Sequence, residues 1–210
     1  MVKKLLGTAV TDENGVATFT YTGTGAGKMN IVAESGGFVS ETYSLYDCLI
    51  YDEMETDYIN KYKISNNSKI SYSSEWAISG SRSLKWNYDN TESTNTMYWG
   101  IYFKENPTTN YFDLSPLKGN GIKFEFDANA QIDFDTPNNK GMYVSVFYKT
   151  TENPSWTVLG SISKLQSNTT HYELTRNVPS NCTELWVRFN ANMNCPSGVL
   201  YVDNWKLYLI

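Results

Sequence analysis

The chain has 210 residues, with 17 Lys and Arg against 22 Asp and Glu, a formal net charge of -5 and a pI near 4.9. An acidic chain without a cluster of basic residues cannot track a phosphate backbone, which excludes nucleic acid as an expected partner. No apolar run approaches the roughly 20 residues of a membrane span, and the opening MVKKLLGTAV lacks both an adequate apolar region and a cleavage site, so no membrane insertion is expected.

The length allows one large β domain, or an ordinary domain plus a small module. Sixteen Tyr, nine Phe and six Trp, with abundant Thr, Ser and Asn between them, are strand and turn chemistry. The first segment, VATFTYT, alternates with period two: Ala17, Phe19 and Tyr21 share one face, and Val16, Thr18, Thr20 and Thr22 the other. Asn14-Gly15 before it predicts a type I′ hairpin turn, which needs positive φ at both central residues. TGTGAG and ESGG then punctuate KMNIVAES and FVSETYSLYD. Residues 1–46 therefore read as four consecutive antiparallel strands, whose apolar face is expected to pack on the second domain or on another chain. YSLYDCLIYDEMETD holds no Gly- or Pro-rich linker, so the joint to a second domain, 47–210, reads as stiff.

From residue 47 onward the strands are SLKWNY, MYWGIYF, GIKFEFDA, MYVSVFYKT, WTVLGSI, HYELTRNV, ELWVRFNA and VLYVDNWKLYL. No stretch of a dozen residues keeps a helical period, so the fold class is all-β, a jelly-roll or sandwich. Cys48, Cys182 and Cys195 form neither a CxxC pair nor a dense framework, and free thiols are expected. A Cys182–Cys195 disulfide is the alternative.

Alternation also sorts the aromatic residues. In ELWVRFNA, Leu185, Val187 and Phe189 face the core while Trp186, Arg188 and Asn190 face outward. In MYWGIYFKE, Met97, Trp99, Ile101 and Phe103 read as core and Tyr98, Tyr102 and Lys104 as outward; in MYVSVFYKT the outward set is Tyr143, Ser145 and Phe147. Trp156 stands beside a Pro in a loop. Sugars present flat apolar C–H faces and rings of hydroxyls, so an exposed mixture of Trp, Tyr, Asn and Arg is a candidate ligand surface: Trp186, Arg188, Asn190, Tyr98, Tyr102, Tyr143 and Trp156. Plain surface exposure or packing is the competing reading for each ring.

EFDANA puts Glu125 and Asp127 at i and i+2 on one strand face, about 6.6 Å apart, a spacing compatible with paired glycosidase carboxylates. It resembles the E-x-D-x-x-E strand of laminarinase-like jelly-rolls, but Asn129 and Ala130 stand where the next carboxylate belongs. His171 has no nucleophile motif beside it, and no phosphate loop or zinc cluster is present, so no catalysis is expected. The apolar closing strand GVLYVDNWKLYLI carries Asp203 in its middle. A carboxylate there requires hydrogen-bonding partners or a bound cation.

Two resemblances bear on these readings. TDENGVATFTYTGTGAGKMNIVAES resembles the closing half of the bacterial Ig-like repeats of invasin- and intimin-type surface proteins and of phage tail proteins. IYDEMETD at 50–57, AISGSRSLKW at 77–86 and VLYVDNWKLYL at 199–209 together resemble the β-sandwich carbohydrate-binding modules appended to xylanases and cellulases. The second resemblance implies a structural Ca²⁺ held by the Asp203 side chain, by Glu55 or Asp52, and by carbonyls around Ser81 and Ser83, since calcium takes 6 to 8 oxygen donors at roughly 2.3–2.6 Å. Backbone amides, or a Lys or Arg, are the alternative partners of Asp203.

Taken together, the resemblances imply a non-enzymatic attachment protein, extracellular at a cell surface or on a virion, binding cell-surface or cell-wall polysaccharide. Association with itself, a trimer included, or with neighbouring virion proteins is expected from the same source. A purely structural tail or decoration subunit is the second reading, and a binding module of a polysaccharide-degrading enzyme the third.

Overall fold

The structure is a computed structural model, and it describes residues 5–20, 28–46, 48–55, 62–64, 69–89, 98–107, 111–132, 141–191 and 197–210. The chain divides into two compact units, Met1–Asp47 and Cys48–Ile210.

The described residues of unit 1 form four short strands, β1 (Lys28–Ile31), β2 (Glu34–Ser35), β3 (Phe38–Val39) and β4 (Tyr43–Tyr46). β1 pairs with β4 and β2 with β3, both antiparallel, so they form one hairpin reversed at Gly36 and Gly37. Residues 16–20 of VATFTYT form no strand, against expectation. Alternation alone makes no ladder, and among the described residues this segment has no strand partner. The turn before it does form, with a different geometry from the type I′ expected. Gly15 alone takes positive φ, at 78°, and Asp12 holds the loop through its own backbone and through a carboxylate oxygen that accepts from the amides of Asn14 and Val16.

Unit 2 is a β-sandwich, and no helix occurs among its described residues. Its strands are β5 (Cys48–Asp52), β6 (Lys63–Ile64), β7 (Lys69–Ser73), β8 (Ser83–Asp89), β9 (Tyr98–Lys104) and β10 (Phe112–Asp113). They continue with β11 (Gly121–Ile132), β12 (Met142–Thr150), β13 (Thr157–Ile162), β14 (Thr170–Asn177), β15 (Cys182–Ala191) and β16 (Ser197–Leu209). One sheet runs β10-β9-β15-β12-β13, with β6 also on β9. The other runs β14-β11-β16-β8-β7, with β5 also on β16.

The alternating apolar residues meet between the sheets. Trp86, Trp99, Trp205, Phe124, Phe126 and Phe189 are fully buried. Trp99 and Phe189 stack with ring centroids 4.1 Å apart, and the edge of Phe189 meets Phe126 of the opposite sheet at 5.1 Å. Each such ring is worth about 1.5–3 kcal/mol in apolar burial. Leu185, Val187, Ile101 and Phe103 join this core as their alternation indicates; Met97 lies outside the described residues.

Cys182 is a buried free thiol whose pKa burial pushes up to about 11, and Cys48 is free as well. Cys195 lies outside the described residues.

Candidate functional site

The outward face of the β10-β9-β15-β12-β13 sheet is set by register. One cross-strand row is Tyr98, Asn190 and Tyr143; the next is Gly100, Arg188, Ser145 and Ser161; the third is Tyr102, Trp186, Phe147 and Val158. Lys104, Glu184 and Lys149 close the series. Rows two residues apart along a strand are separated by about 6.7 Å. Two aromatic rows thus flank a row of small residues with one cation at its centre.

The rings form a connected cluster. Trp186 receives Tyr98 edge-on at 4.8 Å and Tyr102 at 5.6 Å, and Trp156 leans in from the loop before β13 at 5.6 Å from both Trp186 and Tyr102. Tyr111 packs on Tyr102 at 5.0 Å, and the Lys149 ammonium sits 4.4 Å from the Trp156 ring centre. The Tyr102 hydroxyl donates to Glu184, which also pairs with Lys149 at 2.9 Å. Burial, and then the Glu184 contact, push the Tyr102 phenol well above its ordinary value. The guanidinium of Arg188 lies 4.4 Å from the centre of Phe147, 4.8 Å from Trp186 and 5.3 Å from Tyr98.

All seven residues singled out in the sequence therefore lie together at this face, with one distinction that alternation could not give. Trp186 is only 7 % exposed and Asn190 is 0 % exposed. They point outward from the strand, but neighbouring rings close over Trp186, and it forms the floor rather than a free stacking platform. Tyr98, Tyr102, Tyr143 and Trp156 are half-buried and present the accessible aromatic surface. Sequence reasoning missed Tyr111, which follows a turn with no periodic signal, and the Lys149–Glu184 pair, whose outward positions the alternation of β12 and β15 would have given.

The corner around Asp203 has a different character. β16 carries one extra residue opposite the stretch Glu125 to Asp127, and Asn204 at this bulge takes φ 51°. Its other edge pairs with β8 as far as Val202 and with β5 from Trp205 onward, so Asp203 falls between two partner strands. Asp203 is 0 % exposed. Its Oδ2 accepts from the amides of Ile78 and Ser79 at 2.8 and 3.0 Å, and its Oδ1 from that of Asn204 at 2.8 Å. Asn204 is held by Ser79 Oγ and reaches Asp127.

The other residues of the implied calcium site are occupied in the same way. Asp52 accepts from the Met54 amide and the Tyr62 hydroxyl, and Glu55 accepts from the amides of Ser81 and Arg82 and from Ser81 Oγ. Ser83 Oγ donates to the carbonyl of Trp76. Asp52, Glu55 and Asp203 do not converge within 4.8 Å of one another, and the Arg82 guanidinium supplies a cation at this corner by donating to the Glu55 carbonyl at 2.7 Å. These contacts satisfy the three carboxylates without a cation. Burial raises the Asp52 pKa above its ordinary value, opposed by its Tyr62 and Met54 contacts.

Glu125 and Asp127 share the outward face of the second sheet. Glu125 is bound by Lys123 at 3.0 Å and by the Tyr208 hydroxyl at 2.9 Å, and Lys123 also holds Glu173 at 2.7 Å. His171 meets Asp127 at 2.9 Å. Burial would raise the Glu125 carboxyl, but Lys123 and Tyr208 outweigh it and keep the group below its ordinary value, a paired carboxylate rather than a proton donor.

No family model matches this chain, and no curated protein does. The fold is similar to solved structures at low identity. The C-terminal family 22 carbohydrate binding module of Clostridium thermocellum Xyn10B superposes with a TM-score of 0.54 at 14 % identity, over 77 % of this chain and 92 % of that one. The CBM22-1 xylan-binding domain from Paenibacillus barcinonensis Xyn10C gives 0.53 at 11 %, over 79 % and 96 %. The CBM22-1-GH10 modules of Clostridium thermocellum endo-1,4-beta-D-xylanase 10B give 0.52 at 10 %, over 78 % of this chain and 28 % of that larger one.

Proposed function

We propose that unit 2 is a polysaccharide-binding module, without catalysis of its own, and that it binds through the outward face of the β10-β9-β15-β12-β13 sheet. The observation that carries this is the ring cluster of Tyr102, Trp156 and Trp186 beside Tyr98 and Arg188. Aromatic faces take the C–H faces of pyranose rings, and the polar groups between them take hydroxyls. The similar folds named above include xylan-binding domains, which supports the same reading.

Of the three roles expected from the sequence, a module serving a larger polysaccharide-degrading protein has the most support, because one similar fold is joined to a GH10 module. The Ig-like resemblance of the first segment, on which surface attachment rests, has no counterpart among the similar folds named above. A polysaccharide ligand of this kind supports an extracellular location for the module.

The test is affinity electrophoresis and calorimetry on a panel of plant and bacterial polysaccharides, comparing the intact chain with Trp156→Ala. Binding that falls at least tenfold in the variant, at an unchanged melting temperature, is the expected result. Absence of binding across the panel, with the fold intact, overturns the reading.

A further inference from the structure

Arg188 occupies the centre of the proposed binding face. Its cross-strand neighbours are Gly100, which has no side chain, and Ser145, which has a short one, so neither reaches over it. Three aromatic rings surround the guanidinium at 4.4 to 5.3 Å. Among the described residues no carboxylate pairs with it, and its Nε is buried without a hydrogen-bond partner. Burial lowers the guanidinium below its ordinary value, and the titratable groups beside it are the phenols of Tyr143 and Tyr98, which are neutral at pH 7 and give it no counter-charge.

A partly buried cation without a counter-charge loses solvation, and ring faces return only part of that loss. Its planar fork is matched by an acceptor with two oxygens in one plane, such as a carboxylate. The nearest acidic group of this face, Glu184, is already held by Lys149 and Tyr102 and is not available for the role.

Charge distribution agrees. The chain carries a net charge of -5, yet the outward strand positions of this sheet hold three cations, Lys104, Lys149 and Arg188, against two carboxylates, Glu184 and, at the β10 edge, Asp113. This face is locally positive on an acidic chain. A neutral sugar would be served by the rings and by uncharged polar groups, and would give the unpaired guanidinium no counter-ion.

We infer that the polysaccharide bound at this face is acidic, and that Arg188 receives the carboxylate of a uronic acid residue while the surrounding rings take the sugar faces. This rests on the polysaccharide-binding reading above and adds the class of sugar.

The experiment pairs each acidic polymer with its own carboxyl-reduced form, in which the acid is a primary alcohol and the backbone is unchanged. Polygalacturonate, glucuronoxylan, alginate and hyaluronate are titrated against the intact chain, Arg188→Gln and Arg188→Lys, with melting temperatures recorded for each protein. At least one acidic polymer is expected to bind about tenfold more tightly than its reduced partner, the scale of a charge-assisted hydrogen bond. That preference weakens with added salt and disappears in Arg188→Gln, which binds each acidic polymer and its reduced partner equally.

Equal binding to both members of every pair overturns this inference and leaves the polysaccharide-binding reading standing. So does an acidic preference that survives in Arg188→Gln. If neither form of any polymer binds, and the neutral panel is blank as well, both readings fail together. Should Arg188→Gln not fold, the comparison of each acidic polymer with its reduced partner on the intact chain still decides the outcome.

Discussion

The carboxylate of Asp203, near the end of the chain, accepts the backbone amide of Ile78 at 2.8 Å, joining the closing strand to a loop 125 residues earlier. The amides of Ser79 and Asn204 complete its shell. Asp203→Ala leaves three part-buried amides without their acceptor and is expected to lower stability by about 1–3 kcal/mol. Asp203→Asn keeps one acceptor oxygen but turns an NH₂ toward an N–H, at a cost of about 1–3 kcal/mol. Urea unfolding of the two variants checks both losses; negligible ones would mean that these contacts carry no stability.

Because N–H donors and Arg82 occupy the corner that a calcium ion would fill, chelation with EGTA is expected to leave the melting temperature of the chain unchanged. Arg82→Met removes the hydrogen bond to the Glu55 carbonyl and the contact with the Tyr72 ring, at 4.2 Å from its centre. It is expected to lower stability by about 1–3 kcal/mol. A melting temperature that falls on chelation and recovers with added calcium would show the opposite.

At Gly100 a Cβ would lie 2.0 Å from the carbonyl oxygen of Val187 and 2.9 Å from the Cα of Arg188, both backbone atoms that cannot swing away. Gly100→Ala therefore has to push β9 off β15 and is expected to destabilise by about 3 kcal/mol. The same displacement moves Tyr98 and Tyr102 relative to Trp186, so glycan affinity falls together with stability. Calorimetry at a temperature where the variant is folded separates the two effects.

The pH dependence has two opposing contributions. Burial would raise Glu184, but Tyr102 and Lys149 outweigh it and hold the group below its ordinary value of 4.5. Its contribution to stability is full above that value and is lost as pH falls through the lowered one. Asp52 is raised by burial above its ordinary 3.8, so its contribution is present below that value and lost as pH climbs through the raised one. Glu184→Gln should accordingly flatten the acid limb of a melting-temperature profile. Asp52→Asn should give a more favourable change at pH 7 than at pH 3, and a profile that shifts the other way contradicts the assignment.

Period-two alternation made the two sides of β9, β12 and β15 legible, because a sandwich strand must bury one face and solvate the other. Leu185, Val187 and Phe189 are core for that reason. What alternation does not carry is register. That Tyr98, Asn190 and Tyr143 share a row depends on how the three strands β9, β15 and β12 slide past one another. Nor does it carry what lies above a face. Trp186 points outward and is nonetheless covered, because Trp156 arrives from a loop and Tyr98 and Tyr102 from the neighbouring strand. VATFTYT shows the converse limit, an alternating segment without a partner among the described residues. Asp203 was legible as a residue needing partners, but the choice among amides, a basic side chain and a cation depended on loop 78–79, which only the fold brings near.

The central place of β16 in its sheet has a consequence for the order in which the molecule can be made. β14 and β11 lie on one side of it, and β8 and β7 on the other. Until residues 197–209 have been synthesised, those pairs are two separate ribbons, each with a bare edge and an uncovered apolar side. The strand translated last within this unit is the one that joins them. During biosynthesis the unit therefore passes its longest time as an open, adhesive intermediate, and a chain cut before β16 is expected to aggregate rather than fold.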